Sequence, residues 1–207
     1  MASTGTKALI AGGTALLLCL VGGVLYAFGL SPFGEEKGEI KASEVCRTLG
    51  ASDGSAVALR RVLPGESAYS FDDAVSDPRR DDMDVSYSSS CFVDGGGKQL
   101  LSATAEMLQY DHAEEWVEEV VGQFASVSSL KAFDAGDKAV ASDKVAAVYL
   151  PCVARGDGQH LSVVVHLKQQ GGGGAERLRD GLVSLARSTA RFAQQNAKCD
   201  VVAEVGT

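Results

Sequence analysis

Histidine, proline and tryptophan are scarce in this chain, with three, four and one residues among 207. Histidines at 112, 160 and 166 give little material for a metal centre or a general base. Cations are in deficit as well: 19 Lys and Arg stand against 27 Asp and Glu. Beyond residue 30 the balance is 18 against 27, a net charge of −9. Nucleic acid is thereby excluded as a partner, since its phosphates reward a basic face. Charge alone does not hold such a domain on anionic lipid either. Several motifs are also missing. There is no C-x-x-C for zinc or redox exchange, and neither G-x-G-x-x-G nor a Walker A loop for phosphates.

What is present begins with an apolar run. Ala8 to Leu30 is 23 residues without a charge. As a helix it reaches about 34 Å, enough to cross a hydrocarbon core of about 30 Å. The apolar part of a cleavable signal peptide is shorter, about 7 to 15 residues. The expectation is therefore a transmembrane signal anchor. Ala27-Phe28-Gly29 also fits a small-x-small cleavage site, and processing near Gly29 would give a secreted protein instead. Cys19 follows Leu18 and lies mid-span, so no lipid-attachment box is formed. Lys7 precedes the run, while Glu35, Glu36 and Glu39 follow it. The positive-inside bias then puts residues 1–7 in the cytoplasm and the chain after Ser31 outside. The expected organisation is a cytoplasmic stub (1–7), a membrane helix (8–30), a linker (31–40), an extracytoplasmic domain (41–200) and a tail (201–207).

Four cysteines remain in the outer part: Cys46, Cys91, Cys152 and Cys199. In an extracytoplasmic domain they form two structural disulfides, and three connectivities are open.

Two stretches resemble each other. Cys91 to Leu100 aligns without gaps on Cys152 to Leu161, each a cysteine followed by a glycine-rich turn. Alternating runs flank them, Met83 to Ser90 with Leu100 to Leu108, and Val145 to Pro151 with Leu161 to Leu167. Both read as β-hairpins. Each hairpin is followed by a helix. Asp111 is a candidate N-cap for the first, with Glu114 completing a capping box and Trp116, Val117, Val120, Val121 and Phe124 as its apolar stripe. The second runs from Ala175 to Lys198 on Leu178, Leu182, Leu185, Ala186, Thr189, Phe192 and Ala193. Upstream, Ser43 opens a short helix stopped by Gly50, and a further helix covers Ser55 to Leu63 before Pro64-Gly65. The fold class is α+β: a pseudo-symmetric α-ββ-α-ββ-α domain with helices packed on one face of an antiparallel sheet. Cys91 and Cys152 then hold equivalent hairpin positions, and Cys46 and Cys199 lie on the first and last helices. This order favours Cys46 with Cys91 and Cys152 with Cys199. The runner-up joins Cys91 to Cys152 and Cys46 to Cys199.

No set of catalytic, cofactor-binding or metal-ligating residues emerges. His160 and His166 share a strand face with Ser162 and Val164 and stand about 20 Å apart, too far for one ion. All three histidines read as exposed. Asp72, Asp73, Asp77, Asp81, Asp82 and Asp84 crowd together without EF-hand order. With Arg79 and Arg80 among them they read as a solvated loop.

Val45-Cys-Arg-Thr-Leu49, Leu59, Val62-Leu-Pro64, Gly136-Asp137-Lys138-Ala139 and Val145 to Cys152 are similar to segments of small secreted or membrane-anchored envelope domains of high-GC Gram-positive bacteria. Two isoleucines and one asparagine fit a GC-rich genome. The resemblance implies helices over an antiparallel sheet and a mostly unknown function, and it carries no functional residue across. The resulting expectation is a non-catalytic, single-pass anchored domain that binds a protein or small ligand of the cell envelope. A structural accessory subunit of a membrane complex is the alternative. An uncharacterised hydrolase would need a serine or a carboxylate pair near His160 or His166.

Overall fold

The computed structural model describes residues 37–109, 112–154 and 159–206. Ser52 starts the first α-helix, α1 (Asp53–Val62), its hydroxyl accepting from the Ser55 N–H at 3.1 Å. Ala58, Leu59 and Val62 turn inward, and Pro64 forbids a further turn. Three strands follow: β1 (Tyr69–Val75), β2 (Ser88–Gly95) and β3 (Lys98–Gln109). The β2–β3 turn is Gly96-Gly97, with φ of 57° and 73°, the left-handed pair that a two-residue hairpin requires. Next come α2 (Ala113–Glu119), β4 (Lys131–Ala132), β5 (Lys138–Ala141), β6 (Val145–Pro151) and β7 (Gln159–Leu167). The chain closes with α3 (Ala175–Asn196).

The strands form one antiparallel sheet in the order β1-β2-β3-β7-β6-β5-β4. The α+β class and the antiparallel sheet are as expected, with β1, β4 and β5 added to the two hairpins. The second hairpin lies where the alternation placed it. The first is displaced: Met83 to Tyr87 precede β2, and β2 runs through Cys91 to the turn.

The gapless repeat does not survive in register. Cys91 lies mid-strand opposite Ala103, whereas Cys152 lies beyond the end of β6. The first hairpin turns on two residues, and the second opens into a longer connection after Pro151. The glycine spacing matches, but the strand ends do not.

Helices lie on both faces of the sheet, which corrects the one-face arrangement. On one face α1 and α3 bury Leu59, Val62, Leu178, Leu182 and Leu185 against Leu101, Val148, Leu161, Val163 and Val165. A Cβ at Gly181 would collide with Val62 Cγ1, so this glycine sets how closely the two helices approach. On the other face Trp116, Val117 and Val121 cover Val140, Val145, Ala147, Tyr149 and Val164, on β5, β6 and β7, with Leu108 near the end of β3 packed beside them. Here α2 stops at Glu119 and a 3-10 turn (Val121–Gln123) follows, shorter than the apolar stripe implied. The β-branched Val120-Val121 and Gly122 are poor helix formers. The N-cap position is His112, without a side-chain bond, and Asp111 lies outside the described residues. Ser43 falls inside a 3-10 turn (Ala42–Glu44), and a second turn (Arg47–Leu49) ends at Gly50.

Cys46 is bonded to Cys91, with Cα atoms 6.0 Å apart, and Cys152 to Cys199, at 4.4 Å. Neither Cys46 nor Cys199 is helical: Cys46 precedes the Arg47–Leu49 turn, and Cys199 follows α3. Two disulfides are the mark of a domain that folds in an oxidising, extracytoplasmic compartment. The domain extends past the expected limits, since Ile40 is buried, Val205 joins the core and Gly136 N–H donates to Glu204 O at 2.8 Å. No described helix is long and apolar enough to cross a membrane. The span expected at 8–30 lies outside the described residues.

Candidate functional site

The aspartate-rich segment is a structural clasp. Asp73, on β1, accepts from the N–H groups of Arg47 (3.1 Å) and Thr48 (3.2 Å), capping the turn that carries Cys46. Asp84 is buried and takes four bonds, from Arg80 N and Nε and from Ser86 N and Oγ. The Arg80 guanidinium, then Ser86, hold its carboxyl well below the usual carboxylate range. Arg79 is only 8% exposed. Its Nε donates to Ala197 O at 3.3 Å and its Nη2 to Lys198 O at 3.0 Å, closing the carboxyl end of α3 beside an ion pair with Asp200 at 3.6 Å. The solvated-loop reading therefore fails for Asp73, Arg79 and Asp84. Among the described residues no group of three or more His, Cys, Asp or Glu is placed to hold a metal ion. Replacing Arg79 with alanine is expected to cost about 3 kcal/mol, since a buried charge-assisted clasp is lost. Urea unfolding measures this, and Arg79→Lys restores only part, because an ammonium cannot reproduce the planar fork.

The histidine-bearing strand face is covered. Trp116 is fully buried, donates through Nε1 to Ser162 Oγ at 2.9 Å and stacks on Tyr149 at 5.0 Å. Tyr149 in turn stacks on His160 at 4.2 Å, and His160 Nε2 meets Asp137 Oδ2 at 3.2 Å. Phe124 lies across His166 at 4.7 Å. His160 and His166 are half-buried, contrary to expectation, while His112 is exposed. The helix turned its tryptophan onto a face that strand alternation alone marks as outward. Among the described residues the Asp137 carboxylate meets His160, and the Ser162 hydroxyl on the same strand is committed to the indole.

Burial, followed by the charges of Lys168 and Lys144, holds the His166 imidazole below its ordinary pKa. With the folded value depressed, the unfolded chain takes up the proton first, so the neutral ring's stability is intact above the ordinary histidine value, about 6.5, and is lost as pH falls below it. Replacing His166 with glutamine is therefore expected to flatten the stability–pH curve on the acid side of that value. Thermal melts in a pH series report it.

The other half of the same face is open. Apart from Leu108, which packs into the α2 cluster, the outward positions of β1, β2 and β3 have no described helix over them; there Ser90, Phe92, Asp94, Ser102 and Thr104 are half-exposed and Asp72 and Glu106 exposed. Small hydroxyl side chains leave a hollow of about 450 Å³ between Ser76, Ser88, Ser90, Thr104 and Glu106. Asp72, Asp94 and Glu106 make the face acidic. Outward positions of β1, of β2 to Asp94 and of β3 from Ser102 carry no lysine or arginine. On the same side of the sheet α2 adds the exposed Glu115 and Glu118. Alternation in β2 and β3 held the signal for this face, but only the sheet order shows that no described helix covers it.

These features define an α+β domain stapled by two disulfides, with one sheet face half open. No family model, curated protein or solved structure matches the chain.

Proposed function

We propose that this chain is a non-catalytic binding domain of the cell envelope, held at the membrane by residues 8–30, and that the open half of its sheet receives a basic segment of another envelope protein. The observation that carries the reading is the uncovered outward face of β1–β3. The opposite face is packed under α1 and α3, and the neighbouring strands lie under α2. A flat, acidic, hydroxyl-rich surface fits cationic side chains and hydrogen-bond donors, and complementary potential steers such a partner to it. The short motifs shared with envelope domains of high-GC Gram-positive bacteria support the same setting.

The test uses the full chain, tagged and isolated from its own membranes beside the double variant Asp94→Lys, Glu106→Lys. The wild type is expected to retain a specific envelope protein that the double variant loses, with the melting temperature unchanged because both side chains point to solvent. Retention of the same protein by both forms, or of none by the wild type, overturns the reading.

A further inference from the structure

The arginines of this acidic protein are gathered on the side opposite the open sheet face. Six of the ten lie in α1 and α3, which carry no lysine. Where the two helices meet, Arg61, Arg187, Arg191, Ser184 and Ser188 line a hollow of about 240 Å³ whose lining includes no carboxylate. Arg187 is fixed by donation to Asp134 O at 3.1 Å and by the Phe133 ring at 5.5 Å, and Arg191 donates to Gly206 O. Arg61 has no hydrogen-bond or ion-pair partner among the described residues.

A second observation concerns Gly54, which also lines the hollow. Neither packing nor conformation explains it. A Cβ there would touch only Ser52 Oγ, at an ordinary 3.7 Å, and its backbone is in the normal helical region. Glycine is among the least favourable residues for a helix. What it leaves is access: no side chain at position 54 fills the groove beside the arginines.

We propose that this groove between α1 and α3 binds a phosphate group. Three arginines and two serine hydroxyls in the lining of one groove, with no carboxylate among its described lining residues, suit an oxyanion with more than one charge. The net charge of the chain argues against adhesion by charge alone, but a convergent set acts locally. The phosphate belongs either to a small soluble molecule or to a lipid headgroup, and the experiment separates the two.

Two probes are applied to the full chain: inorganic pyrophosphate, titrated calorimetrically into protein in zwitterionic detergent, and nanodiscs of phosphatidylglycerol against phosphatidylcholine, read by hydrogen exchange. A soluble ligand class is indicated by saturable pyrophosphate binding. A lipid source is indicated when amides in 54–61 and 184–191 gain protection in phosphatidylglycerol alone. In either case Arg61→Gln and Gly54→Val are each expected to weaken the response about tenfold or more, as loss of a charge-assisted bond or of access would. Thermal melts check that both variants remain folded, and Arg191→Gln provides a further variant should Gly54→Val fail to fold. The proposal is overturned if neither probe gives a response, or if folded Arg61→Gln and Arg191→Gln proteins respond as the wild type does.

Discussion

Replacing Trp116 with alanine lowers the stability of the domain by about 4 kcal/mol, the largest effect expected of any single side chain here. The indole is fully buried, and it is the only tryptophan in the chain. Three losses combine. The removed ring leaves a cavity between α2 and β6–β7, the contact with Tyr149 disappears, and Ser162 Oγ loses its donor inside the core. Trp116→Phe keeps most of the volume and forfeits the hydrogen bond, so it should cost about half as much. Circular dichroism in a urea series is the appropriate probe, because the variant lacks the fluorophore. A loss below about 1 kcal/mol would mean that the α2 segment contributes little to the fold.

Removing the disulfides has an effect of similar size. Each bridge closes a long segment, 45 residues for Cys46–Cys91 and 47 for Cys152–Cys199. Loop-closure entropy then gives about 4 kcal/mol per bridge. Since domains are typically stable by about 5–15 kcal/mol, the chain with both pairs changed to alanine is expected to be unfolded at physiological temperature. The Cys152–Cys199 pair should have the wider structural consequence, because the segment it ties down also holds the Arg79 clasp. Non-reducing peptide mapping should recover Cys46 joined to Cys91 and Cys152 joined to Cys199. A peptide joining Cys91 to Cys152 would contradict the structure.

Elements written in local periodicity were legible in the sequence. Leu178, Leu182, Leu185, Ala186 and Ala193 mark α3 without reference to anything else, and the alternation in Val145–Leu150 and Leu161–Leu167 marks β6 and β7. Features that depend on a distant partner were not. Arg79 reads as a loop cation until α3 is seen to end beside it, 118 residues away. His160, Ser162 and His166 alternate outward along β7, yet they are covered, because the cover comes from Trp116 and Phe124 in another element. β1 was hidden for a related reason. An edge strand reading Tyr-Ser-Phe-Asp-Asp-Ala-Val offers charge where a strand signal expects apolar residues, and its two aspartates read as part of the acidic run that follows. The candidate sites lie at this second level. The open face exists because the α2 segment covers β5–β7 and the Leu108 end of β3 and reaches no further among the described residues. The arginine groove exists because Gly181 lets α1 and α3 close on each other, bringing Arg61 beside Arg187 and Arg191.

The uncovered half of the sheet is the surface proposed to meet a partner in the envelope. A photoreactive amino acid at Thr104 of the full chain, activated in intact cells, tests it most directly, with Gln195 on α3 as the exposed control. A discrete cross-linked protein is expected at position 104, absent at position 195 and lost when Asp94 and Glu106 are changed to lysine. No product at position 104, or the same product from both positions, would contradict it.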